Sequence, residues 1–188
     1  MRKAIAFAAA IIMAGTVLTA CGSSEVSSET AGSAGAVSSV SQSGERVAKD
    51  NADMQTEDKT MPTRRPMEGG TKINMYFGDT VIPGVLNDSE TAKALIAKLP
   101  YTQSVSRYSH DFCGVTEELP YSEDDVHYGW LNGDIDYATN APYFTILFED
   151  EESSEQYGHQ VNIGVMTCPL KNISDLDGNY EVRIELAE

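Results

Sequence analysis

Between Gly22 and Gly70 the chain carries nine serines, scattered glycines and valines, and no aromatic residue. Its few apolar residues follow neither the period of 2 of a strand nor the 3.6 of a helix. Such a stretch cannot bury enough apolar surface to offset the entropy of ordering it. Folding is therefore expected to begin at Thr71, in the 118 residues that remain of 188, enough for one small domain. Residues 21–70 read as a disordered linker, with a root-mean-square reach of about 35 to 40 Å for a Gly/Ser coil. The dipeptide Arg64-Arg65 inside it reads as solvated.

From Thr71 onward the pattern changes. "KINMYFGDTVIPGVL" alternates Ile73, Met75 and Phe77, turns at Gly78-Asp79 and resumes at Val81-Ile82. This predicts a hairpin whose second strand is broken or bulged at Pro83-Gly84. "NDSETAKALIAKLP" predicts a helix capped by Asn87 or Asp88. Its apolar stripe is Ala92, Leu95, Ile96 and Leu99, and Pro100 ends it. Val105 and Arg107 mark another alternating stretch; "DIDY", "YFTILFE", "VNIGVM" and "YEVRIEL" are further strands, with a short helical turn near residues 173–176. The domain is mainly β with one main helix, and strands at this spacing suggest a closed or nearly closed barrel.

Acids outnumber bases 29 to 13, a formal charge of −16. A surface so acidic repels phosphate backbones, which excludes nucleic acid as a partner and argues against polybasic membrane docking. Asp134 and Asp136, two apart on a strand, project from one face about 6 to 7 Å apart. They lack the remaining positions of a Ca²⁺ loop and read as solvated carboxylates on a strand rim. "DLDGNYEVRIEL" offers Asp175, Asp177 and Asn179, but Tyr180 and Leu186 stand where such a loop needs Gly and Glu. An Asp-Gly turn before the last strand is the better reading.

His110, His127 and His159 lack metal-ligand spacing and read as exposed loop residues. Cys113 and Cys168 have no CxxC spacing, and whether they pair is left open. No metal and no cofactor is expected. Trp130 with Tyr128, Tyr137, Tyr143 and Tyr157 gives the middle of the domain an aromatic bias suited either to core packing or to a ligand platform.

The N-terminus has a charged start, Arg2-Lys3, and an apolar run from Ala4 to Leu18. That run is shorter than the roughly 20 residues of a membrane-spanning helix. The following Leu18-Thr19-Ala20-Cys21 resembles the lipobox of bacterial lipoproteins. The resemblance implies a signal peptide over 1–20, cleavage before Cys21, and acyl chains on that cysteine. The protein would then be lipid-anchored to the bacterial cell membrane, facing outside the cytoplasm, with membrane lipid as its partner.

The opening hairpin, the helix "SETAKALIAKLP", then "LNGDIDY", the hydrophobic strand, "VNIGVM" and the final "YEVRIEL" together resemble the bacterial cyclophilin-like domains. The resemblance covers residues 72 to 187 and implies a small closed β-barrel built like cyclophilin. The segment 109–129, with "CGVTEELPY", departs most from it. Cyclophilins are peptidyl-prolyl isomerases, and their site maps onto a few residues here. Arg107 and Phe112 stand five apart, like the catalytic arginine and pocket phenylalanine. Phe144 lies in a strand like the one carrying a second pocket phenylalanine, and "GHQVNIGV" puts Gln160, beside His159, at the family's histidine. Val115 replaces the glutamine donor, and the tryptophan is missing. The expectation is a module binding a peptide or small molecule, without catalysis, at Arg107, Phe112, Phe144, His159 and Gln160. An extracytoplasmic prolyl isomerase using Arg107 and Phe112 is the alternative.

Overall fold

The computed structural model describes residues 45–46 and 56–188. The segment read from sequence as a signal peptide, Cys21 as the expected lipid site, and most of the expected linker lie outside the described residues. Among the described residues there are ten strands: β1 (Glu45–Arg46), β2 (Thr71–Phe77), β3 (Thr80–Leu86), β4 (Tyr101–Arg107), β5 (Asp111–Val115), β6 (Val126–Tyr128), β7 (Asp134–Ala138), β8 (Tyr143–Leu147), β9 (Gln160–Met166) and β10 (Asn179–Leu186). Two α-helices, α1 (Glu90–Ile96) and α2 (Lys171–Ser174), and two short 3-10 helices, at Glu123–Asp125 and Glu151–Gln156, complete the order among the described residues. Eight strands close a ring in the order β9-β3-β2-β10-β4-β5-β8-β7, and β7 pairs back onto β9. Every pairing in the ring is antiparallel, so the barrel has no free edge of its own. β6 adds to the outside of β9, and β1 pairs with β6 in parallel.

Alternation sets the inside of the ring. Ile73, Met75 and Phe77 of β2, Ile82 and Leu86 of β3, Ile135 of β7, Ile146 of β8 and Ile163 of β9 are all essentially inaccessible. Each such side chain contributes about 1.5 to 3 kcal/mol through burial. The first hairpin turns at Gly78, whose φ of +59° suits glycine. β3 runs unbroken through Pro83 and Gly84, which pair with Asn74 and Ile73. The expected break or bulge is absent: the register with β2 is continuous from Thr80 to Leu86. α1 follows the predicted stripe, with Ala92 and Leu95 buried. Its cap is Ser89, not Asn87 or Asp88: the Ser89 hydroxyl accepts from the Ala92 amide at 3.2 Å, and Asn87 Oδ1 accepts from Ser89. The turn before β10 forms at Gly178, with φ of +90°.

The domain begins earlier than Thr71. Residues 56–66, assigned by composition to the linker, fold back as a strap across the outside of the barrel. The Thr56 amide donates to the Thr63 carbonyl at 2.8 Å, and the Thr63 amide donates to the Asn132 carbonyl at 2.7 Å. The Leu170 amide donates to the Thr60 carbonyl at 2.9 Å. Pro62 presses on Gly133, where a Cβ would come within 2.4 Å of the proline ring and φ is +98°. A side chain at 133 would lift the strap. The Asn-Gly turn before "DIDY" is thus also the strap's seat.

Candidate functional site

Asp134 and Asp136 share the outer face of β7, as their spacing requires, but neither touches solvent: both are 0% exposed. The expectation of solvated rim carboxylates is overturned, and the strap is the reason. Arg64, read as solvated, reaches Asp134 through two parallel bonds, Nε to Oδ1 at 2.7 Å and Nη2 to Oδ2 at 2.9 Å. The Leu131 amide donates to Asp134 Oδ2 at 2.9 Å, so the carboxylate is held on three sides. Burial works against the Arg64 charge, and Asp134 more than restores it, so the guanidinium's pKa rises.

Asp136 is held differently. Across the ladder it pairs with Asn162 of β9, just after an irregularity between Ile135 and Asp136. Asn162 Nδ2 donates to Asp136 Oδ1 at 2.9 Å and to the Gly164 carbonyl at 2.9 Å. The second oxygen, Oδ2, is buried with no hydrogen-bond partner among the described residues. Burial, reinforced by the Asp134 charge, pushes the Asp136 carboxyl up to about 8. Both causes favour the carboxylic acid over the carboxylate at this position. The seam then carries one negative charge, on Asp134, matched by Arg64.

Asn162 leads out of this seam to a cavity. Asn87 Nδ2 donates to the Asn162 carbonyl at 2.8 Å and to its Oδ1 at 3.3 Å, fixing both amides. Between the strap's continuation and strands β3 and β9 lies a space of about 360 Å³ lined by Arg64, Arg65, Pro66, Met67, Val85, Asn87, Asn162, Gly164 and Val165. That is within the range of small-molecule sites. Its walls are apolar on the Pro66, Met67, Val85 and Val165 side. They are polar where Arg64, Asn87 and Asn162 converge. A second, smaller space of about 200 Å³ runs under the strap beside Met61, Pro62 and Met166.

The residues expected from sequence lie elsewhere. Phe112 and Phe144 are core residues inside the barrel, 0% and 2% exposed. Arg107 lies over Phe148 and Phe112: its guanidinium sits 4.4 Å from the Phe148 ring centroid and 5.7 Å from that of Phe112. Its Nη1 donates to the carbonyls of Ser174 and Leu176 at 3.0 and 3.3 Å, at the end of α2. His159 is exposed, with φ of +65°, in the loop before β9. Gln160 lies in β9 opposite Ala138 and His127, with its Oε1 buried and without a hydrogen-bond partner among the described residues. None of the five lines either described cavity.

His127 is not the exposed loop residue its spacing suggested. It belongs to β6, and both ring nitrogens are buried without hydrogen-bonding geometry to a partner among the described residues. Burial lowers its pKa, against the opposing pull of Asp134. Cys113 and Cys168 are free thiols; burial, with Asp111 beside it, pushes Cys113 up to about 11, far from a reactive thiolate. Trp130 is buried and stacks at 4.9 Å on His110 and 5.3 Å on Tyr157, while its Nε1 donates to the Glu149 carbonyl. It is packing with a satisfied N–H, and Tyr157 alone of the three is exposed. Among the described residues no group of three or more His, Cys, Asp or Glu side chains is arranged to hold a metal ion.

Arg64 and Asn162 are the site residues that sequence reasoning missed. Arg64 was hidden in low-complexity composition. The signal for Asn162 was its place as a polar residue within "VNIGVM", opposite an acid.

The profile of the Cyclophilin-like family matches residues 75–185, more than half of the chain. Among solved structures, the solution structure of the hypothetical protein AF2241 from Archaeoglobus fulgidus is similar in fold. It superposes with a TM-score of 0.52 at 15% identity, covering 63% of this chain and 95% of that one. No curated protein matches the chain. The closed eight-stranded ring and the extent of the profile match agree, and the chain belongs to the Cyclophilin-like family.

Proposed function

We propose that this barrel is a binding module for a small molecule, held by a lipid on Cys21 at the outer side of a bacterial membrane. The Ser- and Gly-rich segment after Cys21 spaces it from the headgroups. The observation that carries the binding reading is the 360 Å³ cavity, where a fixed polar corner of Arg64, Asn87 and Asn162 meets an apolar wall. Preset polar groups beside apolar surface are what orient a small ligand. The ladder Asp136–Asn162–Asn87–Ser89 makes that corner rigid before anything binds, which lowers the ordering cost of binding.

The prolyl-isomerase alternative needs an arginine free to face a substrate amide. Arg107 faces two backbone carbonyls and two aromatic rings instead, and Phe112 and Phe144 face inward. The binding reading is tested by a ligand-observed NMR screen of small molecules on the full chain in detergent. Met67 is 42% exposed at the cavity wall, so Met67→Trp fills the space without disturbing the core. Hits lost in that variant support the reading; a hit list unchanged by Met67→Trp overturns it.

A further inference from the structure

Arg64 and Pro66 border both spaces described above, the one of about 360 Å³ and the one of about 200 Å³. The strap thus supplies a wall to each, and the barrel supplies the facing walls through Val85, Val165 and Met166.

The strap is held by other forces than the barrel. The barrel closes through continuous ladders around apolar side chains that solvent does not reach. The strap's holds include two backbone bonds, Thr63 to Asn132 and Leu170 to Thr60, and the Arg64–Asp134 pair. Lys59, largely exposed, adds a loose contact of 3.7 Å to Glu151. Such groups exchange a protein partner for water when they separate, so parting them costs less than exposing apolar core. Lifting the strap also lets both members of the ion pair hydrate together, unlike a substitution that strands one of them. Beneath the strap, Met61, Pro62 and Met166 border the smaller space rather than filling it.

The ends of the strap suit a hinged segment. On the C-terminal side Gly69 is exposed, has φ of +75°, and a Cβ there would meet nothing within 4 Å. The next residue is seated: a Cβ on Gly70 would come within 2.5 Å of Val85. The backbone passes from free to fixed across one peptide bond, which is where a hinge belongs. On the N-terminal side the chain leads back to β1, which is held to β6 by a pairing of two residues.

We infer that residues 56–68 form a lid over the cavity, which opens as one unit about Gly69 while the barrel stays folded. Opening carries Arg64 and Pro66 away from both spaces and joins them, so the strap governs entry. This rests on the small-ligand reading above and adds how that site opens.

The test is native-state hydrogen exchange of the full chain in detergent, followed by NMR. The Thr63 and Leu170 amides report the strap from its two sides, since one donates from it and the other to it. Both should be protected and share one opening equilibrium. That equilibrium should lie roughly a hundredfold or more above that of the slowest β2 and β10 amides, with a weaker dependence on urea. Ile73→Val, inside the barrel, should speed the slowest β2 and β10 amides roughly fivefold. It should leave Thr63 and Leu170 unchanged, because the barrel core stays packed when the lid is open. Met166→Cys, under the strap, should be alkylated by iodoacetamide in step with the opening read at Thr63. Thr63 and Leu170 as slow as the slowest barrel amides, or sped equally by Ile73→Val, would make the strap a fixed part of the fold and overturn the lid. Unprotected amides, two different opening equilibria, or alkylation at position 166 no faster than global unfolding would also overturn it. These measurements use no ligand, so the small-molecule screen decides the cavity reading separately.

Discussion

Arg64 and Asp134, seventy residues apart in the chain, meet through two parallel hydrogen bonds of 2.7 and 2.9 Å over a carboxylate with no solvent exposure. This pair joins a segment that composition assigns to the linker to the first residue of a barrel strand. It also sets one corner of the cavity. Replacing Arg64 by Leu leaves a buried charge without its partner, which costs about 3 to 5 kcal/mol. Chemical denaturation should show that loss. The double variant Arg64→Leu/Asp134→Leu should recover part of it only, because the Leu131 amide then loses its acceptor at about 1 to 3 kcal/mol. A loss under about 1 kcal/mol for Arg64→Leu, the scale of an exposed pair, would contradict the docked strap.

Asp136 gives the pH dependence. Its folded pKa of about 8 lies above the ordinary value of 3.8, so between these values the folded state binds the proton that the unfolded state has released. Stability from this group is therefore full below about pH 4, falls as pH rises, and has been lost once pH passes about 8. Asp136→Asn keeps the acceptor for Asn162 and removes the titration. Its denaturation midpoint should lack the wild type's decline across that window and exceed the wild type's at pH 8.5. Parallel profiles for the two proteins would rule out a buried, protonated Asp136.

Arg107 should act on the fold rather than on a substrate. Arg107→Ala removes hydrogen bonds to two carbonyls and the contact over Phe148, a loss of about 2 kcal/mol. In a prolyl-isomerisation assay on the full chain the account expects no rate above the uncatalysed one. Catalysis that disappears in a folded Arg107→Ala variant would restore the isomerase reading.

The proposed lipid on Cys21 makes a separate prediction. One acyl chain holds a protein only marginally at a membrane, whereas two hold it firmly. Expressed in a bacterium, the wild type should partition into detergent and incorporate labelled fatty acid. Cys21→Ala should incorporate none and run at the size of the uncleaved precursor. Unchanged labelling in that variant would exclude Cys21 as the lipid site.

Much of the barrel was legible because it depends on local pattern. Ile73, Met75 and Phe77 alternate, Gly78 turns, and α1 shows its stripe, so the hairpin and helix could be read directly. The site was less legible because it depends on what lies over a face. The spacing of Asp134 and Asp136 places them correctly on one side of β7, but an outward-facing acid and a covered one look alike in sequence. What covers them is Pro62 to Arg64, inside a stretch whose average composition argues against order. A single ion pair and a proline seated on Gly133 overrule that average. Arg107, Phe112 and Phe144 show the converse. Their positions along the chain match a family pattern, while Phe112 and Phe144 lie in the core and the half-buried Arg107 is bonded to backbone carbonyls.

Backbone amide chemical-shift mapping of a bound screening hit on the full chain tests the central claim most directly. The account predicts shifts centred on Met67, Val85, Asn87, Asn162 and Gly164, all absent in Met67→Trp. Shifts centred instead on Arg107, Phe112 and His159, with the cavity amides unmoved, would contradict it.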